Sequence, residues 1–298
     1  MRRSRRSVLV LPGSSRRMAE KAATMDVAEV VLDLEDGVPS GLAEKEQARA
    51  QVVETLRELD FGGRSVSVRI NGVQGPLAVH DVLALVPHVA DKISCLVVPK
   101  ISTVGEVAFI DYLLSGLEGA SASSPIGLQL QIETPRGLES VAEIAAASTR
   151  TEALIFGPGD FAAAMGMPQL AIGQETDAYP GDIWHYALFR IATSAKAHGL
   201  QAIDGPCSDI SDMALLERSS QRAAQLGFDG KWVIHPSQLE TVNRAFTPDA
   251  NQVRKAEEIL AALEGQGGAS RLGGEMVDEA HGRMAREVLL RASPPASD

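Results

Sequence analysis

Two short segments carry the plainest chemistry: QIETPRG (Gln131 to Gly137) and FGPGDFA (Phe156 to Ala162) each place a carboxylate, Glu133 or Asp160, just behind an apolar run. Two carboxylates from successive strand ends would share one hard cation. Magnesium suits such a pair because it keeps open positions for water and substrate oxygens. Singly, each acid has a plainer reading, Asp160 as N-cap of the helix beginning FAAAM and Glu133 as the cap of its own turn. Together, beside Gly and Pro turns, they point to a metal site. The stretch VVLDLEDGV (Val30 to Val38) adds Asp33, Glu35 and Asp36, which either cap the next element or belong to a site that handles a cation or a proton.

Arg69, in SVRIN, supplies a guanidinium that can hold a carboxylate or stabilise a developing oxyanion, and a salt bridge to a nearby acid is compatible with both. Lys100, in VVPKIS, is the candidate for Schiff-base chemistry without a metal, but the carboxylate pair offers a Lewis-acid route and leaves the lysine to bind an anion. LPGSSRRMAEKA combines a glycine turn with Arg16, Arg17 and Lys21 near a helix start, a weak pattern for a phosphate site. Asp204 in AIDGP and His235 before Pro236 could face the same site, although a turn or rim role is the simpler assignment.

The elements that must position these groups follow from the hydrophobic pattern. Short runs rich in Val, Ile and Leu fall near Ser7–Leu11, Val30–Asp33, Ser65–Ile70, Cys95–Val98, Gly127–Ile132, Ala153–Phe156, Gln201–Ile203 and Lys231–Ile234. Segments of helical periodicity, such as Glu44–Leu59 and Trp184–His198, lie between them. Strand and helix alternating eight times predicts an α/β fold, a closed (β/α)8 TIM barrel, whose strand ends gather remote residues at one mouth. An open doubly wound sheet would spread them along an edge instead. After residue 246 the character changes to a long amphipathic helix and a glycine-containing tail. The expected division is a barrel over 1–246 and a C-terminal helical arm or lid over 247–298, with hinges at Gly265, Gly267, Gly268, Gly273 and Gly274. SASSP (Ser121 to Pro125) reads as a surface loop, and the closing SPPASD as disordered.

Composition narrows the classes. The chain has 298 residues, 45% of them hydrophobic, enough for a sizeable core, and its net charge of -11 argues against a general nucleic-acid binder. The arginines of MRRSRRS read as a solvated terminus rather than a phosphate grip. Cys95 and Cys207 lack CxxC spacing, which gives neither a disulfide framework nor a thiolate zinc site and fits a reducing cytoplasm. No apolar run approaches the roughly 20 residues that span a bilayer, and no signal-peptide core follows the arginines.

The ordered set LPGSSRRMAEKA, LDLEDGV, SVRIN, VVPK, QIETPRG, FGPGDFA, QAIDGP, LGFDGKWVIHP and GGEMVDEAH resembles the CitE-like branch of the HpcH/HpaI aldolase family, the group of the citrate lyase beta subunit and the malyl-CoA lyases. The resemblance implies a homotrimer or higher assembly that makes or breaks a carbon–carbon bond in a CoA thioester such as malyl-, citramalyl- or citryl-CoA, giving an acyl-CoA and a 2-oxo acid. By position it makes Glu133 and Asp160 magnesium ligands and Arg69 the active-site arginine. Glu35 and Asp36 support the metal's waters and the arginine. Arg16 and Lys21 fall at CoA phosphates, Pro99 and Lys100 on the substrate loop, and Asp278 on a lid that enters a neighbouring subunit's site and exchanges a proton with the acetyl methyl group. The segment PSGLAEKEQAR after LEDGV departs from the compact connection the family leads one to expect. Three other activities share parts of this pattern: a hydroxyacyl-CoA thioesterase, a pyruvate-dependent sugar-acid aldolase with no use for the phosphate contacts, and a non-catalytic CoA-ester-binding accessory subunit that would not need Glu133, Asp160 and Arg69 together.

Overall fold

The run Glu29-Val-Val-Leu-Asp33 sets the pattern of the molecule: alternate side chains of a strand share a face, so Glu29, Val31 and Asp33 point one way and Val30 and Leu32 the other. All five are buried, as a strand covered on both faces requires. The computed structural model describes residues 3–118, 125–176, 179–264 and 270–292. The surface loop expected at SASSP, apart from Pro125, and the closing SPPASD lie outside them.

Strands and helices alternate as β1 (Ser7–Pro12), α1 (Arg16–Ala22), β2 (Glu29–Asp33), α2 (Leu42–Glu58), β3 (Ser65–Arg69), α3 (Leu77–Val89), β4 (Cys95–Val98), α4 (Val104–Glu118) and β5 (Gly127–Ile132). Then come α5 (Pro135–Glu139), α6 (Val141–Ala146), β6 (Thr151–Phe156), α7 (Pro158–Met165), α8 (His185–Ala197), β7 (Gln201–Asp204), α9 (Met213–Gln225) and β8 (Gly230–Val233). The eight strands pair in parallel in chain order, and β1 closes on β8 with Val8 opposite Trp232, completing a (β/α)8 barrel. The sequence places every one of these strands to within two residues at either end.

Inside, the barrel has three layers. Val8, Val31, Val97, Ala153, Ile155, Ile203 and Trp232 form an apolar waist. Toward the N-terminal strand ends lie Glu29, Ser67, Cys95, Gln129 and Gln201, and toward the C-terminal ends Asp33, Arg69 and Gln131, each buried. The same strands supply both polar layers through the two-residue period.

The first layer corrects the reading of MRRSRRS as a solvated terminus. Arg5 is only 2% exposed. Its Nε donates to Glu29 Oε2 at 2.9 Å and its Nη2 to Glu152 Oε2 at 2.7 Å, and it also binds Gln201. Arg3 pairs with Glu152 as well. Glu29, left alone inside a barrel, would be prohibitively costly, and the arginine offsets it.

The chain divides into two compact units, Met1–Val242 and Asn243–Asp298, with α10 (Leu239–Phe246) running across the division. The second unit contains α11 (Ala250–Glu264), an antiparallel hairpin of β9 (Ser270–Leu272) and β10 (Glu275–Val277), and α12 (Glu279–Ala292). Where the sequence suggests hinges, Gly273 and Gly274 form the hairpin's two-residue turn. Both have positive φ, +56° and +96°, which the tight turn between right-twisted strands demands. Gly265, Gly267 and Gly268 lie outside the described residues.

Candidate active site

The C-terminal strand ends bring Asp33, Glu35, Asp36, Arg69, Lys100, Glu133 and Asp160 to one mouth, linked to one another through two cations. Arg69, at the end of β3, is gripped by both oxygens of Asp33: Nε donates to Oδ1 at 2.7 Å and Nη2 to Oδ2 at 2.6 Å. This two-point fork fixes the guanidinium plane. The remaining Nη1 lies 3.1 Å from Glu35 Oε2 and 3.9 Å from Asp36 Oδ2, and the guanidinium carbon stands 5.3 Å from the Trp232 ring centre, close enough for cation–π attraction. Burial alone would weaken the charge of Arg69, but Asp33, Glu35 and Asp36 outweigh it and hold the group firmly protonated.

Asp33 gives LDLEDGV the capping role, and it contacts Arg69 as well. Its Oδ1 accepts from the Glu35 N–H at 2.9 Å and its Oδ2 from the Gly37 N–H at 2.7 Å, so it shapes the turn while it orients Arg69. Asp33 is the site residue that sequence reasoning passes over in favour of Glu35 and Asp36. Its signal was its place as the last residue of a strand, facing inward with Glu29 and Val31.

Lys100 is the second cation. It has the single positive φ, +56°, among described residues other than glycine, a conformation that costs a side-chain-bearing residue energy and is held by its surroundings. Its N–H donates to Glu133 Oε1 at 2.7 Å, while its Nζ reaches Glu35 Oε1 at 2.8 Å and Asp160 Oδ2 at 3.5 Å. Burial pulls its pKa down, but Glu35, Asp36 and Asp160 prevail and raise it above the ordinary lysine value. A Schiff-base lysine needs the opposite shift, so Lys100 serves here as a fixed charge.

Neither plain reading of the metal-site candidates survives. The cap of α5 is Thr134, whose side chain accepts from the Gly137 N–H, and the cap of α7 is Gly157. Glu133 instead turns inward, 1% exposed, and accepts from Gln131 Nε2 at 2.6 Å. A Cβ at residue 157 would collide with Glu133 Oε2, so Gly157 keeps the space for that carboxylate. Burial, with Glu35 and Asp160 close by, pushes the Glu133 carboxyl up to about 8 against the pull of Arg69 and the Lys100 N–H. Burial likewise raises Glu35, opposed by Arg69 and Lys100. Among the described residues no group of three or more His, Cys, Asp and Glu side chains could hold a metal. A cation on Glu133 and Asp160 would therefore rest on two carboxylates and complete its shell with water and substrate, as magnesium commonly does. The excess of negative charge that raises Glu133 is what such a cation would relieve, so the residues fit the ion.

The remaining candidates lie elsewhere. Pro99 is buried beside Lys100. Arg16 is turned to Glu20 and Glu58, with Glu54 at 3.8 Å, and Lys21 is exposed on the same short helix. Asp204 is 3% exposed and pairs with the equally buried Lys231, a structural role. His235 is exposed and caps the turn that Pro236 begins. Asp278 belongs to the second unit, where it accepts from the Ala280 N–H at 2.9 Å at the start of α12 and lies 2.8 Å from His281 Nδ1; that bond, ahead of the backbone ones, keeps its carboxyl below the usual range. A groove of about 950 Å³ between α2 and α3, lined by Arg49, His80 and His88 among others, shares no residue with the mouth.

The family model described as HpcH/HpaI aldolase/citrate lyase matches residues 6–236, which spans the barrel. The chain belongs to the HpcH/HpaI aldolase/citrate lyase family. Its relatives include the L-malyl-CoA/beta-methylmalyl-CoA lyase of Cereibacter sphaeroides, 37% identical over 97% of this chain and 94% of that one. The mitochondrial citramalyl-CoA lyase of Homo sapiens is 34% identical over 97% of this chain and 86% of that one. Among solved structures, protein CitE from Mycobacterium tuberculosis in complex with magnesium, acetoacetate and coenzyme A superposes with a TM-score of 0.75 at 29% identity, covering 96% of this chain and 97% of that one. These HpcH/HpaI relatives are named as lyases or solved with magnesium and coenzyme A.

Proposed function

We propose that this protein is a magnesium-dependent CoA-ester lyase. It makes or breaks a carbon–carbon bond in a 3-hydroxyacyl-CoA, with an acyl-CoA and a 2-oxo acid on the other side of the reaction. The observation that carries this reading is the Asp33–Arg69 fork with its free edge toward Glu35, at the same mouth as the Lys100-linked pair Glu133 and Asp160. Malyl-CoA and its methyl-substituted form are the first substrates to test, given the named activity of the Cereibacter sphaeroides relative.

When bound by Glu133 and Asp160, magnesium supplies Lewis acidity to the substrate's hydroxyl and neighbouring carboxylate oxygens. In cleavage the hydroxyl gives up its proton to solvent as its oxygen becomes the carbonyl of the 2-oxo acid, and the electron pair of the broken carbon–carbon bond stays on the acyl-CoA fragment as a thioester enolate. Arg69, already locked by Asp33, offers Nη1 to that oxygen with little reorganisation, which is the condition for strong electrostatic stabilisation. Glu35 holds Arg69 and Lys100 in register, and Asp36 adds negative charge at the rim. Asp278, kept ionised by its hydrogen bonds, is suited to take a proton from the acetyl carbon in the condensing direction and to return one in cleavage. This assigns the C-terminal unit the part of a lid. Arg16 and Lys21 contact CoA phosphates in this scheme, with Arg16 released from Glu58 and Glu20. The same reading makes the protein a cytoplasmic homotrimer or higher homo-oligomer; two buried free thiols, Cys95 and Cys207, suit a reducing compartment.

Mass-spectrometric turnover of malyl-, citramalyl- and citryl-CoA, with magnesium and with chelator, tests the proposal. Magnesium-dependent release of acetyl-CoA and a 2-oxo acid is the expected result. Free CoA with an intact hydroxy acid would make the protein a thioesterase, and no turnover of any ester would overturn the lyase reading.

A further inference from the structure

The segment PSGLAEKEQAR, whose length and charge set it apart, contains the start of α2, and the inward face of that helix carries two bases where the periodicity calls for apolar residues. Lys45 is 5% exposed and Arg49 8%. Both point into the wall behind the mouth. Lys45 Nζ donates to the carbonyl of Leu34 and to that of Glu35, each at 2.6 Å. Leu34 is held from its other side too, since its N–H donates to the Arg69 carbonyl at 2.8 Å. Arg49 Nε donates to Asp81 Oδ1 at 2.6 Å, and the other oxygen of Asp81, fully buried on α3, accepts from both the backbone N–H and the Nδ2 of Asn71 at 2.7 Å. Asn71 lies two residues beyond Arg69.

A buried charge whose hydrogen bonds go to loop backbone, as those of Lys45 do, is an expensive way to terminate a helix face. A loop whose carbonyls had merely to be satisfied could have used water or a neutral amide. Lys45 directly, and Arg49 one turn on through Asp81 of α3, instead tie the segment bearing Glu35 and the segment following Arg69 to one rigid helix. We propose that Lys45 and Arg49 are positioning residues: through the Leu34–Glu35 carbonyls and through Asp81–Asn71, they set the separation of Glu35 from Arg69 and Lys100. This rests on the reading of Arg69 and Glu35 as site residues and adds the elements that aim them. Neither base touches substrate.

The test is Lys45→Met, which keeps length and apolar volume and removes the donors, with Arg49→Lys, which keeps charge and loses the planar fork, as the variant to read if the first does not fold. The expected result is a kcat on the malyl-CoA assay lower by on the order of 10²-fold, the cost of roughly ångström-scale misplacement, with KM within about threefold and a normal far-ultraviolet spectrum. Arg49→Lys should lose several-fold. A folded variant with kcat within about twofold of the parent overturns the proposal. A crystal structure of the variant decides the point independently of turnover: Glu35 Oε2 displaced from its 3.1 Å approach to Arg69 supports the proposal, and an unmoved Glu35 sinks it. If the parent chain turns over no ester, the lyase reading falls, while this structural comparison still stands.

Discussion

The two ends of the barrel are built from the same residue types and do opposite work. At the N-terminal end one arginine, Arg5, meets Glu29, Glu152, Gln201 and Cys95, and the second oxygen of Glu29 accepts from Ser67 and Gln129. The charges there are locked by one another. At the C-terminal end Arg69 and Lys100, with Lys45 behind them, face five carboxylates, Asp33, Glu35, Asp36, Glu133 and Asp160. That end is short of positive charge, and the deficit appears as carboxyls raised by one another and by burial. A closed polar layer resists the entry of charge. An under-compensated one invites a cation and a polar substrate, which is how perturbed acids come to mark functional sites.

Isosteric neutralisation at each end should separate the two roles. Glu133→Gln at the mouth removes a proposed magnesium ligand and relieves repulsion among acids. Turnover should fall on the order of 10³-fold or more, with unfolding free energy unchanged or raised, because sites of this kind trade stability for function. Steady-state assay and denaturant unfolding on the same sample check both halves, and a variant that loses stability along with activity would erase the contrast. Glu29→Gln at the opposite end strips Arg5 of its best partner inside an enclosed barrel. It should cost about 3–5 kcal/mol of stability while the fraction that remains folded keeps its kcat. A large drop in kcat at a temperature where the variant is fully folded would show that the floor reaches the chemistry.

The layout of the mouth is largely legible in the sequence because it is local: Glu133, Asp160, Arg69 and Lys100 each follow an apolar run closely, and a closed barrel turns strand ends into neighbours. The floor is not, for the same physical reason inverted. Arg5 sits in a run of arginines whose bulk composition signals solvent, and its partners stand 24 to 196 positions away with no pattern of their own. Asp33 is hidden by its neighbours, since in DLED three acids look equivalent until the two-residue period shows that Asp33 faces inward with Glu29. Lys45, Arg49 and Lys231 break the rule that inward positions are apolar, and each does so to meet a carbonyl or a carboxylate that only the fold supplies. The Gly273–Gly274 turn carries the signal of a two-residue hairpin, but the strands on either side are only three residues long and too short to declare themselves.

The smallest effect expected of this comparison is in pH dependence, through Glu152 at the edge of the floor. Burial would raise its pKa, but hydrogen bonding to Arg3 and the charge and hydrogen bond of Arg5 prevail and bring it below the ordinary 4.5. The folded state then keeps this carboxylate ionised to lower pH than the unfolded chain does. Its contribution to stability is complete above about 4.5 and drains away as the pH falls through the depressed folded value. Because the Glu152 side chain is 27% exposed, solvent screens part of the interaction and the effect is modest. Glu152→Gln should therefore flatten the acid limb of a melting-temperature profile below pH 4.5 and leave the parent and variant running parallel above it. Of the groups that face it, Arg3 and Arg5 stay charged and the Cys95 thiol, which burial pushes up to about 12, stays protonated throughout that acid range. Profiles that differ by the same amount at every pH would mean that Glu152 contributes shape rather than charge, and the floor would then owe its closure to Arg5 and Glu29 alone.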